Sequence, residues 1–589
     1  MKLILRVLYC MLMITLLMGC GEVLQPDRDQ RIRVFLQEVE GYTVENNGQF
    51  VAPGEDAVFT LTLDRGIALT ATDYEGNYRM ETKGRTVILT LEDIRYPTRV
   101  TLGLTYHYAQ LTYHANGGYP LQGLENSVTK SVSLSVHTRP NTDTGTDLFA
   151  RAGHTLLCWN TEPDGTGTRV SLGSRVTTAQ GRVELYAQWV PWADPEDFIW
   201  TAADTVTITG YKGNADFLVI PEILDGREVT AIAAGAFAGC TAETVVLPKS
   251  MDTVEAGAFR DCAMTELVLF DNIIEIGDDC FPGCENLQTL YINAIEAPYG
   301  YLYRKESCYA DKVDLLINAQ GKPKLVCYGG CSMWYNLDGA MFQGAFGGEY
   351  TVINMALNGT VNSLVQMQIM ERLLEPGDIF FHTPELSSRQ QLLTNTQMSE
   401  ADKYLWCGIE NNYDLFSWVD LRTVEGVFDS LVFYLESKTG QATYAQVYQD
   451  ELGQTFMDAT GSVAFFRNST EEALGDRVYL DPSRVESLEL LKNYYDRYQS
   501  RGVRVYLSYA CVNLDAVPVD QQDNAQSLEE SFAAAVAAME GPVLISNMED
   551  FFYHNQAFYD TNYHLRTQQL KENTAVWLRD LQAALEREP

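Results

Sequence analysis

Apolar and polar residues alternate in the N-terminal part of the chain. In the segments Ala57–Leu63 and Thr86–Leu91, every second residue falls on an apolar face. This period of two is typical of strands that place one face on a core and the other in solvent. The pattern therefore predicts an antiparallel β-sandwich module over residues 31–109.

A second pattern repeats every 22 residues. Three sets of residues recur at that interval: Phe237, Phe259 and Phe281; Cys240, Cys262 and Cys284; and Ile232, Val254 and Ile276. A fixed period of this length is typical of stacked structural units. We predict a short parallel solenoid over residues 198–297 in which the cysteines fill a side-chain ladder. A metal site at Cys280 and Cys284 would need two further nearby ligands, which this segment lacks.

Strand and helix patterns alternate in the C-terminal part, which we call the head. Short apolar runs predict strands at 324–328, 379–381, 503–507 and 543–545, and amphipathic segments predict helices at 361–374, 485–497 and 570–585. This alternation predicts a three-layer α/β domain with a mostly parallel sheet, whose sites lie at the carboxyl ends of its strands. The region of about 390–480 interrupts the alternation, and we predict a lid or a substrate-binding insertion there.

The length of the chain indicates how many domains it has, and its charge indicates which partners it disfavours. Its 589 residues exceed a single core and predict three to five domains. With 79 acidic residues against 42 basic ones, its formal net charge is -37, which argues against nucleic acid and other polyanionic partners.

The N-terminal segment has the features of an export signal. Lys2 and Arg6 precede an apolar run over residues 7–18, and Gly19-Cys20 follows. Residues 1–20 resemble a bacterial lipoprotein signal peptide, which implies lipid attachment at Cys20 and anchoring to the cell membrane. A plain secretory signal is the alternative, and both predict an extracytoplasmic protein.

Two segments resemble modules of bacterial surface proteins. Residues 110–190 contain Asn116-Gly117-Gly118, Asp164-Gly165 and Trp189, and they resemble the Listeria-Bacteroides (internalin B-type) repeat, which implies a small β-grasp-like module. Residues 198–297, which carry the 22-residue period, resemble BspA-type leucine-rich repeats. With only about three full repeats, this solenoid is expected to serve as a spacer or as a cap on the head.

Two motifs in the head suggest hydrolase chemistry. The first, Gly329-Gly330-Cys331-Ser332, follows the apolar run 324–328, as expected for a strand, a glycine turn and a residue that opens a helix. The second, Asp560-Thr561-Asn562-Tyr563-His564, offers an acid and a base. A thiol, an imidazole and a carboxylate together can carry out acyl transfer.

With the segments 350–359 and 375–381, these motifs resemble the SGNH/GDSL-like hydrolase superfamily over residues 298–589. The resemblance implies that Cys331 stands in place of the catalytic serine, with Ser332 beside it. It also implies that His564 carries the proton and that Asp560 orients His564. Asn562 is an alternative orienting group, and His382 and His554 are the other histidines of the head.

The same resemblance implies a set of groups that would stabilise the oxyanion. These are the backbone N–H groups of Cys331 and Ala356 and the side chain of Asn358 or Asn354. No cofactor and no metal are expected.

The leading interpretation is a surface lipoprotein whose head hydrolyses or transfers acyl (acetyl) esters on envelope or extracellular glycans. Its expected partners are an acylated glycan or another cell-surface or host ligand, and the membrane through the lipid anchor. Cysteine in place of serine favours an alternative, a non-catalytic surface adhesion protein with a degenerate head. A third interpretation is an envelope spacer that tethers partners.

Overall fold

The computed structural model describes most of the chain. The described residues are 31–37, 41–63, 67–106, 108–121, 123, 125–133, 142–177, 181–295, 309–357, 359, 361–386, 396–410, 412–437, 457–463, 478–559 and 561–587. The predicted signal segment with Cys20, the residues Asn358 and Asp560, and much of the predicted insertion lie outside these ranges. The described residues form two compact units, one that lies within residues 1–110, 130–140 and 178–183 and one that lies within residues 111–129, 141–177 and 184–589.

Strands around one apolar core build the first unit. A four-stranded antiparallel sheet has the order Tyr42–Glu45, Glu55–Leu63, Thr86–Ile94, Tyr78–Lys83; a three-stranded sheet has the order Gln49–Val51, Ile32–Leu36, Thr98–Val100; and Ile67–Thr72 pairs with Leu102–Tyr106. Side chains of the two larger sheets share the core, among them Phe59, Leu89, Val34 and Val100. Ile32–Leu36 pairs in parallel with Thr98–Val100, a pairing that alternation of residue types does not predict.

Short strands and one buried tryptophan form the segment before the solenoid. Its strands are Tyr108–His114, Tyr119–Pro120, Ser127–Ser133, Phe149–Ala150, His154–Asn160, Arg169–Val170 and Arg182–Pro191. Trp159 is fully buried, packs edge-on against Tyr113 and donates its indole N–H to the Asp143 carbonyl at 3.0 Å. Asn116 and Gly117 both have positive φ angles, as the Asn-Gly-Gly turn requires.

The next strands form the predicted parallel solenoid. One sheet has the order Phe217–Val219, Thr244–Val246, Glu266–Phe270, Thr289–Asn293; the other has the order Phe198–Ala202, Val206–Tyr211, Arg227–Ile232, Ile223–Leu224, with Thr253–Val254 also pairing with Arg227–Ile232. In the first sheet, Val245 pairs with Leu267, which lies 22 residues later in the chain. One coil of the solenoid therefore contains 22 residues, which is the period of the sequence. Short 3-10 helices lie at Pro195–Asp197 and Asp278–Cys280.

Aromatic rings and thiols form ladders inside the solenoid. The rings of Phe237, Phe259 and Phe281 stack at centroid distances of 5.1 and 5.6 Å. We call these three rings the phenylalanine ladder. The cysteines fill space, as predicted, and they also donate hydrogen bonds, because the Cys262 and Cys284 thiols reach the carbonyls of Phe237 and Phe259 in the preceding coil.

The head packs directly on the end of the phenylalanine ladder. Phe428 of the head stacks on Phe281 at 4.6 Å and so continues the series of rings. The Asp278 carboxylate accepts the backbone N–H groups of Gly426 and Phe428, at the start of the helix that contains Phe428. The solenoid therefore caps the head through both apolar and polar contacts.

A buried ion cluster joins the head to the segment before the solenoid. The Arg175 guanidinium lies 2.6 Å from Asp311 and 2.5 Å from Asp314, and these three side chains are almost completely shielded from solvent. Charges removed from water in this way are stable only when they are paired.

A parallel sheet between two helix layers forms the head. The strands have the order Thr351–Asn354, Lys324–Gly329, Ile379–Thr383, Arg504–Leu507, Val543–Leu544, and each adjacent pair is parallel. A separate parallel pair joins Val512–Asn513 with Phe552–Tyr553. Consecutive side chains of a strand point to opposite faces. Phe380 contacts Tyr498 of one helix, whereas Phe381 contacts Trp577 of another, so helices cover both faces.

The helices of the head vary in length. The α-helices are Tyr309–Asn318, Cys331–Asn336, Gly339–Phe346, Ser363–Glu371, Lys403–Ile409, Val427–Ser437, Leu488–Ser500, Ala525–Ala537 and Thr567–Glu586. The 3-10 helices are Glu400–Asp402, Tyr413–Trp418, Leu421–Thr423, Pro482–Ser487, Leu514–Ala516, Val519–Asn524, Met548–Phe551 and Asn555–Ala557. Part of the predicted insertion is thus helical and packs into the core of the head through Trp406 and Phe416.

We predict that Arg175→Met destabilises the second unit strongly, because it leaves two carboxylates buried without their cation. The expected loss is about 3–5 kcal/mol, seen as a lower melting temperature of the full-length protein. The matched control is Arg227→Met, which removes an exposed ion pair with Asp225 and should cost less than about 1 kcal/mol. Equal melting temperatures for the two variants would contradict this account of the cluster.

Candidate functional site

The candidate site lies at the carboxyl ends of the parallel strands of the head. Numbered along the chain, they have the spatial order 2-1-3-4-5, and strands 1 and 3 are Lys324–Gly329 and Ile379–Thr383. Connections leave these two strands in opposite directions, which opens a crevice beyond their carboxyl ends. Cys331 follows the first of these strands and Glu385 follows the second, so both residues flank the crevice.

Cys331 begins a short helix directly after its strand. The strand Lys324–Gly329 is buried along its whole length, and Gly330 precedes the helix Cys331–Asn336 in an extended conformation. The Cys331 side chain is half-buried, and its sulfur accepts the backbone N–H of Gly359 at 3.2 Å. A backbone N–H in this position can stabilise negative charge on the sulfur or on an oxygen bonded near it.

Asn336 places His564 beside this helix. Its side-chain Nδ2 donates to the Tyr563 carbonyl at 2.7 Å, and its Oδ1 accepts the Leu565 N–H at 2.8 Å. The His564 ring stacks on Tyr335 with a centroid distance of 3.8 Å. Tyr335 and Cys331 are four residues apart in one helix and therefore lie on the same face. The structure thus packs His564 against the helix that Cys331 begins, one turn along from Cys331 at Tyr335.

A short hairpin carries the histidine. Phe558 and Leu565 form an antiparallel bridge, and the Tyr559 N–H donates to the His564 carbonyl at 2.8 Å. Asp560 lies outside the described residues, so its role remains a prediction. The alternative group, Asn562, is buried and directs its Oδ1 to Asn513 Nδ2 at 2.6 Å.

The structure places Ala356 and Asn354 differently from the sequence prediction. The Ala356 N–H, predicted to hold the oxyanion, donates to Asn354 Oδ1 at 3.0 Å. Asn354 is fully buried and donates its Nδ2 to Ser462 Oγ at 3.2 Å. Lys312 Nζ donates to the carbonyls of both residues. These groups therefore support the end of the strand, and the described N–H that contacts Cys331 is that of Gly359. The prediction rested on spacing, which does not show that an asparagine closes a turn on itself.

Ser332 is buried beside Glu385 and Cys511, and its backbone N–H contacts a residue that the sequence did not suggest. The Ser332 side chain is fully buried, and its N–H donates to Glu385 Oε1 at 2.7 Å. Burial raises the pKa of Glu385, and the Ser332 hydrogen bond opposes part of that shift. The available sequence signal was the position of Glu385, two residues beyond the end of a buried strand at the edge where sites lie.

The other two histidines of the head occupy different surroundings. His382 is fully buried, and its Nδ1 lies 2.7 Å from the Tyr495 hydroxyl in the helix layer opposite to the one that contains the Cys331 helix. Burial lowers the pKa of His382 to about 3, so the ring is neutral. His554 is exposed and pairs with Asp515 at 2.9 Å. The histidine that the structure brings to the Cys331 helix is His564.

A second thiol near the site, that of Cys511, is buried and protonated. Cys511 is fully buried and lies 3.1 Å from Asn336 Nδ2. Burial is the main cause that raises the pKa of Cys511 to about 12, with a smaller contribution from Glu385 in its ionised form, so the thiol keeps its proton at neutral pH.

Asp402 supports the loop that carries Gly359. Its carboxylate accepts the N–H groups of Asn362 at 2.6 Å and Ser399 at 2.9 Å, and the Asn362 side chain caps the helix Ser363–Glu371. Burial raises the pKa of Asp402 to about 6.

Among the residues that the structure describes, no three His, Cys, Asp or Glu side chains are grouped as metal ligands. The helices described there are also too short or too polar to cross a bilayer.

Comparisons with known proteins identify the repeats. Residues 219–308 match the BspA type leucine-rich repeat region, in six copies. A Treponema pallidum leucine-rich repeat protein of known structure aligns with 17% of this chain and 70% of its own, at 19% sequence identity and a TM-score of 0.13. No curated protein sequence matches this chain. The solenoid is thus similar to BspA-type leucine-rich repeats, which are typical of bacterial surface proteins.

We predict that iodoacetamide modifies Cys331 before the other described cysteines of the head. Cys331 is half-buried, whereas Cys327, Cys407 and Cys511 are buried and thiol reactivity requires both access and ionisation. Mass mapping of the native protein at short labelling times measures the order. Faster labelling of Cys511 or Cys327 would contradict the arrangement described above.

We also predict that Asp402 makes stability depend on pH. The pKa of Asp402 is about 6 in the folded protein against 3.8 for an unperturbed side chain, so its favourable contribution is complete below about pH 4 and is lost as the pH rises through 6. Between pH 4 and 8 the native protein should lose roughly 3 kcal/mol relative to Asp402→Asn. Urea unfolding at several pH values tests this, and a stability difference that stays constant with pH would exclude the effect.

Proposed function

We propose that this protein is a bacterial surface protein whose head transfers acyl groups at Cys331. The proposed substrates are acyl, chiefly acetyl, esters on envelope or extracellular glycans. The acceptor is water in hydrolysis or a second hydroxyl group in transfer. The BspA-type repeats support a surface location, and the proposed lipid attachment at Cys20 would hold the chain at the membrane.

In the proposed reaction, His564 takes the proton of the Cys331 thiol and the sulfur attacks the acyl carbon of the ester. The C–O bond to the sugar then breaks, and the imidazolium returns its proton to the departing sugar oxygen. Water or another hydroxyl group, deprotonated by His564, attacks the thioester and releases Cys331. Asp560 is the proposed partner that orients His564.

One observation carries this proposal above the others. The two hydrogen bonds of Asn336 hold the backbone on both sides of His564 against the helix that Cys331 begins. This contact supports the proposal because it connects the proposed base with the helix of the proposed nucleophile, although the two come from distant parts of the chain. The Gly359 N–H at the sulfur supplies a donor where charge develops.

The charge of the chain bears on the choice of substrate. A formal net charge of -37 repels polyanionic polymers on average. This balance favours an ester on a neutral glycan over one on a polyphosphate polymer.

A second candidate function is binding without catalysis. The Glu385 carboxylate accepts a hydrogen bond from the Ser332 N–H, close to the position where a substrate oxygen would become negatively charged. If this carboxylate stays ionised, it disfavours the oxyanion, and the head would then serve as a surface adhesion domain. The two candidates differ in whether Cys331 forms an acyl intermediate.

We predict that the full-length protein hydrolyses 4-nitrophenyl acetate under reducing conditions and that Cys331→Ala reduces the rate to background. Cys331→Ser should retain measurable activity, because a hydroxyl group at the same position can attack the ester when a base is present. Cys240→Ala, which alters a half-buried thiol of the solenoid, is the matched control and should leave kcat/KM unchanged. Equal rates in Cys331→Ala and the native protein would exclude catalysis at this residue.

We predict that Asn336→Ala lowers kcat by about 10²-fold with little change in KM, because the base moves while the substrate still binds. Asn336→Asp retains the acceptor for the Leu565 N–H and should lose less activity. Steady-state kinetics of both variants, with melting temperatures to check folding, measure this order. If both variants keep the native kcat, Asn336 does not position the base.

A further inference from the structure

We propose that Glu385 acts as a neutral carboxylic acid that donates a hydrogen bond to the oxyanion formed at Cys331. This role rests on the proposed acyl transfer and adds a catalytic residue to it. One carboxyl oxygen accepts from the protein backbone, and the other carries a proton toward the substrate oxygen.

Two glycines, Gly330 and Gly359, lie directly against the Glu385 carboxyl group. A side-chain carbon on Gly330 would lie 2.5 Å from the Glu385 carboxyl group, and one on Gly359 would lie 2.6 Å from Glu385 Oε2. Both distances are too short for a real contact, so a side chain at either position would displace the carboxyl group from the backbone of the Cys331 turn.

The two oxygens of the Glu385 carboxyl group have different surroundings. Glu385 Oε1 accepts the Ser332 N–H at 2.7 Å, which fixes the carboxyl group beside the residue that follows Cys331. Glu385 Oε2 is the oxygen nearer to Gly359, whose own N–H donates to the Cys331 sulfur. A proton on Oε2 would therefore lie on the side where the acyl oxygen must sit when the sulfur attacks.

The position in the fold supports a ligand-facing role. Glu385 and Cys331 follow the two strands that flank the crevice of the 2-1-3-4-5 sheet. Side chains from these two connections meet a ligand in folds of this kind. Neither Ala356 nor Asn354 reaches this point, since their polar groups bond to each other. Glu385 thus supplies the side-chain donor that the predicted asparagine would have provided.

The surroundings favour the protonated acid. The titratable and charged groups on the elements that meet here are Cys331 and Tyr335 on the helix, Cys511, and Tyr559, Asp560, Tyr563 and His564 in the segment 558–565. Arg566 directly follows this segment and donates its guanidinium N–H to the Phe558 carbonyl. Burial raises the pKa of Glu385, and the thiol of Cys511 keeps its proton. Carboxylic acids held neutral by apolar surroundings donate to oxyanions in other enzymes.

The experiment compares Glu385→Gln and Glu385→Leu with the native full-length protein between pH 5 and 9. Glutamine donates through its amide at every pH, whereas leucine cannot donate. We expect the native kcat/KM to fall as the pH rises and Glu385 ionises, Glu385→Gln to lose that fall while remaining active, and Glu385→Leu to lose about 10²–10³-fold at all pH values. Glu400→Gln, an exposed carboxylate of the head, is the matched control and should leave the pH profile unchanged.

A second measurement detects the proton on Glu385 directly and does not depend on ester turnover. Infrared difference spectra between the native protein and Glu385→Gln at pH 7 should show one protonated carboxyl band that the variant lacks. Absence of this band overturns the proposal, and so does a Glu385→Gln variant as inactive as Glu385→Leu, since glutamate would then act as a base. A native protein with the band but without ester turnover would support the neutral acid and refute acyl transfer, so the two failures are distinguishable.

Discussion

The proposed site depends on one pair of hydrogen bonds. Asn336 joins its helix to the Tyr563 carbonyl and the Leu565 N–H, which are 227 and 229 residues away along the chain. Hydrogen bonds between segments so distant along the chain depend on the tertiary fold that brings them together. The Asn336 side chain and Leu565 are fully buried, so water cannot readily replace the bond to the Leu565 N–H if it is lost. The position of His564 is therefore a consequence of the complete fold of the head.

The solenoid and the head form one compact unit together with the segment that precedes them. The phenylalanine ladder ends on Phe428 of the head, and Asp278 bonds the start of the same helix. Arg175 adds a buried charged contact to Asp311 and Asp314. The stacking of Phe281 on Phe428 and the hydrogen bonds of Asp278 show that the repeats cap the head as much as they extend the chain. This arrangement provides a fixed orientation of the site relative to the repeats.

The sequence predicted the parts of the structure that are periodic. The 22-residue repeat gave the parallel solenoid, because each coil repeats the same inward residues, and the apolar runs gave the parallel strands of the head. Contacts that depend on tertiary approach were not predictable. Nothing in the spacing shows that Asn354 bonds the Ala356 N–H, or that Glu385 reaches the Ser332 N–H from another strand. The helical packing of residues around Trp406 was also hidden, since that segment carries many polar residues.

The most direct test of acyl transfer at Cys331 is the mass of the peptide that contains this residue. The native protein is mixed with 4-nitrophenyl acetate, quenched in acid within milliseconds to seconds, digested and analysed by mass spectrometry. Our account predicts an acetyl group on Cys331 that appears before steady-state hydrolysis and disappears after treatment with hydroxylamine, which cleaves thioesters. Hydrolysis that proceeds while Cys331 stays unmodified at every time point would contradict it.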